Sequence, residues 1–61
     1  MIYEISADHA PPIGDIREAS AGDDIFLLPG WKQRPDWLRY LAATAHAMGK
    51  GCVIHQGADL G

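Results

Sequence analysis

The chain has 61 residues, a formal net charge of −3 and a single cysteine. A chain this short has room for one small core and buries only about 60% of the surface its unfolded form exposes, so residues 1–61 are read as one domain and a second domain is excluded. Lone Cys52 excludes an intramolecular disulfide and the multi-cysteine kind of structural zinc site, and no stretch reaches the roughly 18 apolar residues of a membrane span. The opening Met1-Ile2-Tyr3-Glu4 lacks the basic and long apolar regions of a cleaved signal, so a cytoplasmic location is expected.

Charge is unevenly placed along the sequence. Residues 1–30 carry Glu4, Asp8, Asp15, Glu18, Asp23 and Asp24 against Arg17 alone, whereas residues 31–61 carry Asp36 and Asp59 against Lys32, Arg34, Arg39 and Lys50. An acidic chain with no concentrated basic face gains little from phosphate counterion release, which disfavours direct binding to nucleic acid. It favours a basic partner instead.

In chain order, Ile2 to Ile5 reads as an edge strand, with Glu4 as an outward charge that discourages unwanted pairing. Ser6 to Pro12 is a loop, and its two prolines suit the first turn of a short helix whose apolar positions Ile13, Ile16 and Ala19 lie three apart. Gly22 ends that helix. Asp23 and Asp24 lead into an apolar strand, Ile25 to Leu28, which Pro29-Gly30 stops because proline lacks the ladder donor and glycine permits a sharp turn. Trp31 to Arg34 is a loop, and Pro35 and Asp36 open the longer helix. Its expected buried stripe is Trp37, Leu38, Leu41, Ala45 and Met48, with Arg39, Ala43 and His46 pointing away. Gly49 and Gly51 break the chain before the strand Cys52 to Ile54, and residues 56–61 read as a loose tail.

The pattern is βαβαβ, an α/β domain with a small three-stranded, mainly parallel sheet and two helices. Parallel strands joined by right-handed crossovers in the order 1-2-3 place both helices on one face, whereas the order 2-1-3 places one on each. The first order is favoured because the most apolar strand then lies at the centre. It leaves the other face bare, so a partner or a homodimer through that face is expected.

Open parallel sheets bind ligands at the carboxyl ends of their strands, just after Leu28 here. Asp8, His9, Gly30, Trp31, His55 and Gln56 all follow strands and form a candidate rim for a base or sugar. Asp8 beside His9 has the makings of an acid and base pair, but adjacent residues seldom present both groups to one substrate atom. Cys52 within an apolar strand reads as a core residue, the spacings of His9, His46 and His55 follow no metal-ligand motif, and the glycine-rich cradle of a phosphate loop is missing around Gly30, Lys32 and Arg34. No catalytic residue, metal or cofactor is assigned.

Leu27-Leu28-Pro29-Gly30-Trp31, followed by a helix, Met48-Gly49 and a short apolar strand, resembles the second half of nucleoside 2-deoxyribosyltransferase-like proteins, including small phage-borne members, over residues 23–55. The resemblance implies a truncated flavodoxin-like framework and a phage or mobile-element origin. In that family a glutamate near the start of the helix attacks the sugar. The matching stretch Lys32 to Tyr40 holds no glutamate, and moving Asp36 into that role requires a shift of about one helical turn, roughly 5.4 Å, which near-attack geometry does not tolerate.

The resulting expectation is a small, acidic, non-enzymatic interaction protein acting in a bacterial host cell. Glu4, Asp8, Asp15, Glu18, Asp23 and Asp24 are its expected contact residues, gathered into one acidic surface. The expected role is counter-defence inhibition of the anti-CRISPR kind: the chain mimics DNA on a basic nucleic-acid-binding surface such as that of a CRISPR effector subunit. The alternative is a reduced nucleoside or nucleotide binder, or an N-glycoside-cleaving protein, using the rim.

Overall fold

The computed structural model describes residues Met1 to Gln56; of the expected tail only Gln56 falls within it, and 57–61 lie outside the described residues. Strand β1 (Ile2–Ile5) is followed by helix α1 (Ile13–Glu18), strand β2 (Asp24–Leu27), a 3-10 turn at Trp31–Gln33, helix α2 (Trp37–Met48) and strand β3 (Val53–His55). The sheet has the order β1-β2-β3 and both pairings are parallel, with Ile2 opposite Asp24 and Asp24 opposite Val53. This is the expected βαβαβ arrangement with the most apolar strand in the middle. The β2 and β3 boundaries each differ by one residue from those read in the sequence.

Alternation along the strands divides the sheet into two unlike faces. Ile5, Ile25 and Leu27 are fully buried, and they pack with Ile16 and Ala19 from the α1 segment and with Tyr40, Ala43 and Ala47 from α2. Cys52 and Trp31 close the two ends of this core. The opposite face carries Ile2, Asp24 and Val53 in one row and Glu4, Phe26 and His55 in the next. Among the described residues no helix covers it, and Ile2 and Val53 are 65% and 50% exposed.

Helix α2 is turned differently from the sequence expectation. Tyr40, Ala43, Thr44 and Ala47 face the core, whereas Leu38, Leu41 and Met48, expected inside, are 61%, 39% and 59% exposed, and Ala45 is exposed with them. The helix is apolar on nearly every side, so hydrophobic periodicity alone has two solutions. Specific anchors select one of them. The Tyr40 hydroxyl donates to the Pro11 carbonyl, and the small side chains of Ala43 and Ala47 let the helix approach the sheet closely. Thr44, the buried polar residue of this face, satisfies its hydroxyl on the Leu41 carbonyl at 2.8 Å.

Arg34 fastens the turn before α2. Its guanidinium donates to the Ser6 carbonyl at 3.1 Å and to the Asp36 carboxylate at 3.0 Å, and it lies 5.0 Å from the centre of the Tyr40 ring. Asp36 is thereby occupied, and it makes no side-chain cap on the helix that it precedes. Gly30 takes φ +84°, and a Cβ there would stand 3.3 Å from that of Ala7, so the loops after β1 and β2 meet at a position that suits glycine. Leu27→Ala should cost about 2 to 5 kcal/mol by opening the centre of the core, while Met48→Ala should stay within about 0.5 kcal/mol, as read by urea unfolding.

Candidate functional site

Three surfaces have enough structure to bind something. The first is the open sheet face. His55 Nε2 lies 3.0 Å from Asp24 Oδ1, and the imidazole stacks on Phe26 with ring centres 4.3 Å apart and planes inclined by 10°. Glu4 stands across from Phe26 on the other side. The face is therefore an aromatic and aliphatic strip bearing two carboxylates, with no lysine or arginine among its strand residues. Two copies stacked through it would oppose those carboxylates.

The second surface is a pocket of about 310 Å³ lined by Leu27, Gly30, Trp31, Lys32, Gln33 and Gln56. It opens where β2 and β3 end, the position at which open parallel sheets take ligands. Trp31 is only 6% exposed and meets Trp37 edge to face at 5.9 Å, while the Lys32 ammonium sits 5.7 Å from both indole centres. Trp31 is thus chiefly a plug for the core, with part of its surface left in the wall. The expected rim is only partly assembled. Gly30, Trp31 and Gln56 are in the pocket, but Asp8 and His9 do not line it. His55 is still inside β3, because that strand runs one residue further than its sequence suggests, and alternation turns its ring onto the open face.

The third surface is a shallow groove of about 380 Å³ beside β1, lined by Ile2, Tyr3, Glu4, His9 and Pro11. Its outer wall is held in place. The Ser6 N–H donates to the His9 carbonyl at 2.8 Å, the Ser6 hydroxyl bonds the same carbonyl and Asp8, and Tyr40 holds Pro11.

The six expected contact carboxylates do not form one continuous field. Glu4 and Asp24 are on the open face, Asp8 is exposed on the loop after β1, and Asp15 and Glu18 are exposed on α1 on the opposite side of the sheet. Asp23 is drawn inward by the Met1 amino group at 3.0 Å and by the Ser20 N–H at 3.3 Å. The reason is again strand alternation, which sends neighbouring acids to opposite faces. Several nevertheless lie close to β1: Glu4 belongs to it, Asp24 stands opposite its Ile2 and Asp8 is on the loop that follows, while the Tyr3 phenol pKa is raised by burial first and then by charges that include Asp23, Asp15 and Glu18.

Two further groups are shifted by their surroundings. The Asp23 carboxyl is held below its ordinary value, first by its bond to the Met1 amino group and then by the Ser20 N–H. The Cys52 thiol is raised, first by burial and then by Asp23 and Asp24, and its sulfur lies 3.3 Å from the Asp23 carbonyl. A protonated, buried thiol is a poor nucleophile, in keeping with a packing role. Among the described residues, no three histidine, cysteine or carboxylate side chains converge to hold a metal, and no helix is long and apolar enough to cross a membrane. The sequence offered no signal for Gln33 as a pocket residue, nor for Arg34 as the tie between two loops and a helix.

No protein family, curated protein or solved structure matches this chain.

Stability should be greatest between the ordinary carboxylate and thiol ranges. Asp23, depressed in the folded state, contributes fully above its unfolded value of 3.8 and loses that contribution as pH falls through the lower folded value. Cys52 and Tyr3, raised above 9.0 and 10.0, contribute fully below those values and lose their contribution as pH climbs through the folded ones. Urea unfolding across pH should show both limbs. Asp23→Asn should flatten the acid limb only, and iodoacetamide should label Cys52 slowly until the chain unfolds.

Proposed function

We propose that this chain is a small non-enzymatic interaction protein that presents its acidic β1 side and open sheet face to a basic protein surface. The observation carrying this reading is the placement of both helices on one face of an all-parallel sheet. Such sheets are ordinarily covered on both faces, and the uncovered one here mixes apolar side chains with Glu4 and Asp24. Apolar strips supply affinity, and the carboxylates select for positive charge and speed encounter. The partner in this reading is a basic nucleic-acid-binding surface, of the kind a CRISPR effector subunit offers to DNA, and the chain is a phage or mobile-element inhibitor that competes for it inside the bacterial cell. Glu4 and Glu18 are exposed and hold no structural ion pair in the described residues, so the pair Glu4→Lys and Glu18→Lys tests the reading without unpicking the fold. The wild-type chain should displace DNA from such an effector in a mobility-shift assay, less well as salt rises. The doubly reversed chain should be weaker on the order of tenfold. Equal competition by both chains would sink the acidic-contact reading.

A second reading rests on the pocket beyond β2 and β3. Its position, Trp31 in its wall, and the donors of Lys32, Gln33 and Gln56 suit a nucleoside or nucleotide, either bound only or cleaved at its N-glycosidic bond. Titration with adenosine, thymidine and their monophosphates, followed by tryptophan fluorescence and by base release, should give saturable quenching if this reading holds. A flat response to all four would remove it.

A further inference from the structure

We infer that the free edge of β1 is a pairing site for an extended, basic segment of a partner protein, which would join the sheet as a fourth strand. The inference rests on the basic-partner reading above and assigns it a binding mode. The Asp24 N–H bonds the Met1 carbonyl and the Leu28 N–H bonds the Ile5 carbonyl, both at 2.9 Å. Backbone groups alternate along a strand, so the odd-numbered residues Met1, Tyr3 and Ile5 turn theirs towards β2. The N–H and C=O of Ile2 and Glu4 therefore point outward. Among the described residues β1 has β2 as its neighbour on one side only, so these groups have no described strand to meet on the other. An unpaired edge of this sort is a template for strand addition.

The groove lined by Ile2, Tyr3, Glu4, His9 and Pro11 lies along that edge, and the bonds at Ser6 and Tyr40 fix its far wall before anything binds. Preformed walls reduce the ordering cost of a bound peptide. Electrostatics choose the occupant. Glu4 is at the edge itself, and the charges of Asp15 and Glu18 on α1 reach Tyr3, while Asp23 offsets the Met1 ammonium at the start of the strand. A segment pairing here meets negative charge on both sides, so lysine or arginine beside Glu4 is favoured and an acidic segment is repelled. The same charge opposes edge-to-edge pairing of two copies of this chain. Side chains of the segment alternate between the two faces, so lysines beside Glu4 and Ile2 share the open face and the intervening apolar residues turn towards Tyr3.

The test uses the full chain and three capped peptides: Val-Lys-Val-Lys-Val, the same peptide N-methylated at alternate residues, and Val-Glu-Val-Glu-Val. The lysine peptide should slow amide hydrogen exchange of Ile2 and Glu4 relative to the free protein while leaving Tyr3 and Ile5 unchanged. The N-methylated peptide, which retains its charges but lacks edge donors, should lose this protection and bind roughly five- to tenfold more weakly, and the glutamate peptide should not bind. Ile2→Pro, which removes an outward donor that β2 does not use, should weaken the lysine peptide similarly. Equal binding of the lysine peptide and its N-methylated form, with shifts at Phe26 and Val53 in place of edge protection, would overturn strand addition and leave the basic-partner reading standing on the open face. No binding of the lysine peptide at low salt would also overturn strand addition, while the effector competition above still decides the broader reading.

Discussion

The handedness of the two crossovers governs this molecule. Right-handed connections between parallel strands in the order β1-β2-β3 leave α1 and α2 on one side, and the core must form there. Ile5, Ile25 and Leu27 are interior because of that constraint, and Ile2, Phe26 and Val53 are at the surface because of it. With so few residues, no second layer was affordable within the described chain. The uncovered face is a result of topology, and its mixed chemistry keeps it wettable: Asp24 holds His55, His55 lies flat on Phe26, and Glu4 flanks the pair.

The same constraint packs α1, which carries Asp15 and Glu18, against α2, which carries Arg39 and leads to Lys50, so acidic and basic stretches of the sequence meet on one side of the sheet. A few polar ties join the halves. Arg34 reaches back to Ser6, Tyr40 reaches Pro11, and the Lys50 ammonium caps the Arg17 carbonyl at the end of α1. Removing Arg34 would free Asp36, uncover the Tyr40 ring and release the loop after β1 together.

Much of the architecture was legible in the sequence. Apolar runs bounded by Gly22, Pro29-Gly30 and Gly51 marked the central strand and the breaks around it, and Ile13 and Ile16 marked the short helix, which stops at Glu18, ahead of the expected Gly22, with Ala19 already extended. The facing of α2 was not legible, because Leu38, Leu41, Ala45 and Met48 make as good an apolar stripe as the one that is buried. A phenol bonded to a carbonyl 29 positions away decides between them, and hydrophobic period does not encode such a bond. The site was half legible for a similar reason. Gly30, Trp31 and Gln56 follow their strands and do meet, whereas a one-residue difference in the extent of β3 sends His55 to another surface. The acids were readable as a preponderance, but their division between faces depends on strand register.

An all-parallel sheet also shapes the way the chain acquires its structure. Ile2 must find Asp24, and Asp24 must find Val53, across intervening helices, so no strand pair can close as a local hairpin. Loop closure precedes any reward from pairing, which makes such topologies slow to fold for their size. During synthesis β3 emerges last, and until Val53 to His55 have cleared the ribosome the central strand has an open side. The interval before that closure is when this small domain is most exposed to misassociation with other nascent chains.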